Sequence, residues 1–363
     1  MKSRQTRFAL RLPALRIVLL FVAIIFCRLS AAAAHLATLE KVVNPHCLRA
    51  YDGRLYLLED GTVHVFNGET GAWIHSFGRT GEGPGETRRF PSRGNMLRIN
   101  DRGVFIDARE KIVWFDWSGR LIREFHKPYG HFVVEPLEDG WVSLYRETTP
   151  TGIILTVTRC SDDFTVRSRY ITSVSKASGF SLFPDPINFV AAGETFYVED
   201  SQRGFVISQY HLDGHSLRTL GSRREPVEVS PEDIQFAWSE LAADPETQMH
   251  GGLDRVRRML GITVPRTFPP IKELSADRAH LFVKTFARKD GDCEFLVFNH
   301  QGRALGRVDL PVTPADAFDD YLTGRLDRYY AFEGDFFYFL RENEAEEAWE
   351  LHRVRWRDKI QNL

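Results

Sequence analysis

Few residues in this chain are spaced for chemistry. His211 and His215 stand four apart, the interval at which two imidazoles on one helix face can hold a transition metal. Here they straddle Asp213-Gly214, a turn dipeptide between two strand-like runs, so no helix face presents them together and no metal is expected. His126 and His131 bracket Lys127-Pro128-Tyr129-Gly130, a turn-rich tetrapeptide that reads as a surface connection. The acidic run from Glu342 to Glu347 lies between two strand patterns and reads as a solvated hairpin tip rather than a calcium loop.

The densest cluster is Phe77-Gly78-Arg79-Thr80-Gly81-Glu82-Gly83-Pro84-Gly85-Glu86, running on to Pro91. Its glycines suggest a phosphate loop, but the Lys and Ser/Thr of such a cradle are missing and a strand follows rather than a helix. GxSxG, HExxH and EF-hand patterns are also lacking, so no catalytic residue and no cofactor is assigned. The residues expected to contact a ligand are Arg79, Glu82, Glu86, Tyr129 and His131, which fall on successive connections between repeats and so on one face.

The elements that must position these residues repeat along the chain. Each of six passages has an apolar stretch, a Gly or Asp turn, a short aromatic or β-branched strand, a second turn and two strands joined by a hairpin. The first reads Arg54 to Glu59, Thr62 to Asn67, a turn at Gly68 to Gly71, and Ala72 to Phe77, with Val63 and Val65 alternating against His64 and Phe66. The others place their hairpin turns at Ser118-Gly119, Asp162-Asp163, Asp213-Gly214 and Gln301-Gly302, until the chain runs out after Trp349 to Trp356. The innermost strand of each unit is expected at Cys47–Ala50, Asn95–Ile99, Phe132–Pro136, Ile187–Ala191, Ile271–Leu274 and Tyr329–Phe332.

Self-similarity of this length with four strands per unit predicts an all-β fold, a six-bladed β-propeller of four-stranded blades. The last unit lacks an outer strand, and the orphan segment 37–43 alternates properly and is expected to supply it, closing the ring and removing a free edge. Between blades four and five lies a helical insertion, about 230–262. Ser230-Pro231-Glu232-Asp233 is an N-cap, a Pro in the first turn and two first-turn acids, and a second helix over Leu253 to Leu260 stops at Gly261.

Residues 1–34 read as an export signal: Lys2, Arg4, Arg7, Arg11 and Arg16 precede an apolar run from Ile17 to Cys27 and the small residues Ala31 to Ala34. Residues 35–363 then form the propeller, exported to the periplasm or outside the cell, with no stable membrane span once the signal is cleaved. Cys47, Cys160 and Cys293 have no close pairing and are expected as buried free thiols. Formal net charge is -2, without blocks of Lys and Arg, which argues against nucleic acid as a partner.

The motif Phe77-Gly78-x-x-Gly81-x-Gly83-Pro84-Gly85-Glu86, with Pro91 beyond it, resembles the connection signature of NHL-repeat propellers, in particular exported six-bladed bacterial ones. Thr87 stands where that signature has an aromatic, a role Phe90 could take over. The resemblance implies a binding or scaffolding module that recognises a protein or small-molecule ligand through its blade-connecting loops. It also leaves open a metal-dependent hydrolase or lyase, because related propellers include amidating lyases, lactonases and esterases with a divalent metal in the central channel.

Overall fold

A computed structural model describes residues 33–88, 95–150, 152–176, 179–183, 187–199, 203–221, 224–312 and 328–362. The strands form six sheets, one per repeat, whose blade strands pair antiparallel. Blade one is Pro45–Tyr51, Arg54–Glu59, Thr62–Asn67 and Trp73–Thr80. Blade two is Met96–Asn100, Gly103–Asp107, Lys111–Phe115 and Leu121–His126; blade three is His131–Leu137, Gly140–Thr149, Gly152–Cys160 and Val166–Lys176. Blade four comprises Phe189–Ala192, Thr195–Glu199, Val206–His211 and Ser216–Gly221, and blade five comprises Glu273–Ala276, His280–Lys289, Asp292–Asn299 and Ala304–Pro311. Blade six has Tyr330–Glu333, Phe336–Asn343 and Ala348–Arg355, and its fourth strand comes from the other end of the chain.

The first strands of successive blades contact one another in order around a ring, and that of blade six returns to that of blade one. This arrangement makes the protein a six-bladed β-propeller. The core lies between blades. Leu48, Leu55 and Leu57 of blade one pack on Tyr338, Leu340 and Leu351 of blade six, and the other blade faces meet in the same way. Alternation puts every second side chain of a middle strand into such a seam, which is why the repeats read as runs of aromatic and β-branched residues.

The closing strand is Ala34–Thr38, with Ala34 opposite Arg353 and Thr38 opposite Glu350, so it lies upstream of the expected 37–43. Residues beyond Thr38 alternate on paper, but the Val42 N–H donates to the Leu39 carbonyl at 3.0 Å. Leu39 and Val42 are both buried, three apart, as a tight turn places them and a strand does not. The predicted leader lies outside the described residues except for its final Ala33 and Ala34, and Ala34 is already part of this strand.

The helical insertion follows blade four. Pro231–Ala243 begins with a full capping box, Ser230 accepting from the Asp233 N–H while the Asp233 carboxylate accepts from the Ser230 N–H. Pro245–Met249 and Leu253–Leu260 follow, the latter ended by Gly261 in the left-handed conformation. Ala237 packs with Leu182, Phe183 and Phe268 in a satellite cluster, so the insertion is fastened to the ring beside the connection that enters blade four. Cys47, Cys160 and Cys293 are buried free thiols.

Candidate functional site

Because strands alternate in direction, the turns between first and second strands and between third and fourth strands emerge on one face. The connections between blades emerge on the other. The sequence-predicted contact residues Arg79, Glu82, Glu86 and Tyr129 belong to this connecting face, but they form no common pocket. Tyr129 is 97 % exposed. Glu82 is paired with Arg88 and Arg79 with Glu86.

Glu86 is turned into its own loop, where Gly83 N–H donates to its carboxylate at 2.9 Å. The Gly83 backbone bond, Arg79 and Lys111 hold its carboxyl below the usual carboxylate range. A Cβ at Gly81 would overlap this carboxylate, and one at Gly78, where φ is 72°, would come within 2.6 Å of the Gly61 carbonyl. The loop also pairs Arg79 with Glu86 and Thr80 with Thr87 in a short parallel ladder beside blade one. Buried Asn95 ties Thr87 to the Asp60 carbonyl, at 3.0 and 2.9 Å. The glycines thus close the chain around an internal anion, which explains their density without an external phosphate. The Phe90 and Pro91 end of the motif lies outside the described residues.

His131 is not on a loop. It opens the first strand of blade three, buried against Tyr145 and Phe164, with Nδ1 at 2.8 Å from Ser143 Oγ. Burial, aided by the charge of Lys127, lowers its pKa to about 4. The turn tetrapeptide ends one residue before it, so the sequence reading placed its flank on the wrong side of the strand boundary. Lys127 is buried as well, ion-paired with Asp107, which also accepts from Val134 N–H at 3.2 Å.

The ring axis is lined by charge. Arg98 of blade two meets Glu135 of blade three at 3.0 Å, and its Nε donates to the Val134 carbonyl at the same distance. Arg328, just before blade six, is paired with Glu273 of blade five, which also accepts from the Tyr330 hydroxyl. Burial pushes the Glu135 carboxyl up, against the pull of Arg98, Arg49 and Arg328. Burial, with Arg49 and Arg98 nearby, pulls the Arg328 guanidinium down to about 10. The axial carboxylates among the described residues are therefore already neutralised by guanidiniums, a donor set that does not fit a divalent cation.

Below the axis, on the hairpin face, a cavity of about 440 Å³ opens between Tyr51, Asp52, Arg54, Tyr56, Asp101, Trp117 and Arg278. Tyr51 and Asp52 come from the first turn of blade one, Asp101 from that of blade two, Trp117 from the outer turn of blade two, and Arg278 from the first turn of blade five. Arg278 thus reaches across the ring. It lies over the Tyr51 ring, guanidinium carbon 4.4 Å from the centroid, and pairs with Asp101 at 3.0 Å. The Tyr51 hydroxyl bonds both, and its ring stacks on Trp117 at 4.8 Å and 12°. Burial and the Asp101 hydrogen bond raise the Tyr51 phenol above its usual value, keeping it a neutral donor. Glu333 of blade six holds the Gly53 N–H at 3.0 Å, bracing the turn that carries Tyr51 and Asp52. The mouth thus holds a stacked aromatic platform flanked by donors and acceptors of both charges, a feature that sequence reasoning missed. Its members lie up to 227 residues apart, so no local spacing announces it.

His211 and His215 do come together, although not on a helix. The hairpin stacks their rings with centroids 5.0 Å apart, and the Asp213 carboxylate reaches the Nδ1 of both.

No family model matches this chain, and no curated protein does. Among solved structures, it is similar to a candidate exported protein of Bacteroides fragilis NCTC 9343 at 14% identity and a TM-score of 0.52, over 90% of this chain and 94% of that one. At that identity the likeness shows the fold. Kluyveromyces lactis Hsv2 aligns at 10% identity and a TM-score of 0.40, over 86% and 77% of the two chains, and nothing is drawn from it.

Proposed function

We propose that the protein is an exported, NHL-like six-bladed propeller that acts as a binding module, with recognition centred on the hairpin-face mouth of its channel. One observation carries this reading: Arg278 of blade five crosses the ring to Tyr51 and Asp101, leaving a cavity floored by the Tyr51–Trp117 stack. The volume falls within the range of small-molecule sites, and the lining combines flat apolar surface with a few convergent polar groups. The ligand chemistry that fits is a small polar molecule with one flat face and hydrogen-bonding groups at its edge.

Export is supported by the basic, apolar and small-residue order of residues 1–34 and by the exported character suggested for the Bacteroides neighbour. No helix among the described residues is long and apolar enough to cross a membrane. The metal-dependent hydrolase or lyase reading finds no support in the described axial pairs, where Glu135 serves Arg98 and Glu273 serves Arg328.

Saturation-transfer NMR tests the proposal, with monosaccharides, free amino acids and aromatic carboxylates as probes. A ring-bearing probe should receive transfer from the wild-type protein, and Trp117→Ala and Arg278→Ala should each abolish it. Tyr129→Ala, on the opposite face, should leave it intact. No transfer for any probe, or transfer lost only in Tyr129→Ala, overturns the assignment.

A further inference from the structure

The outer hairpins of blades two to five are variations on one five-residue loop, which makes departures from it visible. In blade two the loop is Asp116 to Arg120: the first residue's N–H bonds the fifth residue's carbonyl at 3.0 Å, and the fourth, Gly119, donates back to the first carbonyl at 3.0 Å. Blade five repeats this as Asn299 to Arg303, with Gly302, and blade three as Ser161 to Thr165, with Phe164 in the glycine position. Blade four makes the same loop from His211 to His215: His211 N–H to the His215 carbonyl at 3.0 Å and Gly214 N–H to the His211 carbonyl at 2.8 Å. The turn therefore forms readily with Asp, Asn or Ser first and with Arg or Thr fifth. Neither of those positions needs histidine for folding.

Blade four places histidine at both positions and an aspartate at the third. The loop closes so that side chains one and five leave on the same side with their rings stacked, and the Asp213 carboxylate meets the Nδ1 edge of both. His215 Nδ1 is 2.6 Å from Asp213 Oδ1, and His211 Nδ1 is 3.2 Å from Asp213 Oδ2. The three donors lie within 4.8 Å of one another. Donors bound at about 2.0–2.2 Å to a common tetrahedral or octahedral centre stand roughly 3 Å apart, so small side-chain rotations complete the site. The backbone is already set: His215 N–H donates to Asp213 Oδ1 at 3.0 Å, and Gly214 has φ 100° with the Tyr170 hydroxyl packed where a Cβ would be.

We infer that His211, Asp213 and His215 form a surface site for a divalent transition metal of the zinc, nickel or copper class. Two imidazoles and one carboxylate suit these ions better than calcium or magnesium, which take oxygen donors. Three protein ligands leave coordination positions open to water or to a donor from another molecule. The site faces solvent on the same side of the ring as the channel mouth, but it shares no residue with it.

The test is calorimetric titration of ZnCl2 into the full-length or processed chain without a polyhistidine tag. One equivalent should bind. His211→Gln and Asp213→Asn should each weaken binding about tenfold or more, the size expected when a ligand is lost. Circular dichroism of each variant should match the wild type, since blades two and five fold this loop without these side chains. His35→Gln serves as the control, because His35 stands 5.4 Å from His352 in a second histidine pair. No zinc uptake by the wild type, equal uptake by Asp213→Asn, or loss of binding in His35→Gln alone overturns the inference.

Discussion

Glu135→Leu exposes the logic of the ring axis. The Glu135 and Arg98 side chains are 11% and 6% exposed, and their charges meet at 3.0 Å. At an effective dielectric constant of about 20, that separation corresponds to an attraction of roughly 5 kcal/mol. Taking both ions out of water costs about as much, several kcal/mol each, so the intact pair contributes little net stability. Removing one partner is different. Leucine at 135 would leave Arg98 buried near Arg328 without its own carboxylate partner, and the variant should lose about 3–5 kcal/mol. The double variant Arg98→Met/Glu135→Leu removes the desolvation cost along with the attraction, and should recover most of that loss. Urea unfolding followed by tryptophan fluorescence reads both, with the coupling taken from a double-mutant cycle. A loss below about 1 kcal/mol for Glu135→Leu, or a double variant as unstable as the sum of the singles, would refute the view of the axis as a neutralised ion-pair core.

Three further outcomes follow from the packing. Leu39→Ala, behind the closing strand, should cost about 2–5 kcal/mol in urea unfolding and lower cooperativity across the ring rather than in one blade; an unchanged midpoint would mean that the two chain ends are not joined there. His131 is held near 4 when folded and should return to about 6.5 when unfolded, so its neutral form contributes stability that is complete above roughly pH 6.5 and lost as pH falls toward 4. His131→Gln should flatten the stability profile across that window by about 1–3 kcal/mol, a profile that unfolding at stepped pH will show. Ser230→Ala removes the capping oxygen from Pro231–Ala243 and should cost about 1 kcal/mol, visible as faster amide exchange in the insertion while the blades stay protected.

The fold was legible because a propeller writes itself as local repetition. Hairpin turns at Gly71, Gly119, Gly214 and Gly302, the cap at Ser230 and the stop at Gly261 are decided by residues within five positions of one another. Ring closure was legible as a spare strand and a vacancy, but its register was not. Residues 37–43 alternate on paper, while the chain turns at Leu39–Val42, burying both of those residues and exposing Val43. The strand boundary at His131 failed for a related reason: a turn tetrapeptide marks where a loop is, but not which flank is buried.

The sites were hidden for different reasons. The channel mouth joins residues of blades one, two and five that are remote in sequence, so only the closed ring brings Arg278 to Tyr51. The His211–His215 spacing is visible in the sequence, but the helix geometry that usually gives it meaning does not apply to a hairpin. A five-residue hairpin loop brings the first and fifth side chains together by a different geometry, and the stacked rings show it. Glu86 carried the opposite error, since its place in an exposed glycine loop concealed that the loop folds around its carboxylate.

The reading of this protein as a binding module rests on the channel mouth, and a crystal soaked with the probe that gives the strongest saturation transfer tests it most directly. The account predicts difference density stacked on Trp117 and within hydrogen-bonding distance of Arg278 and Asp101. Density over Arg79 and Tyr129 on the opposite face, with the mouth left unchanged, would contradict it.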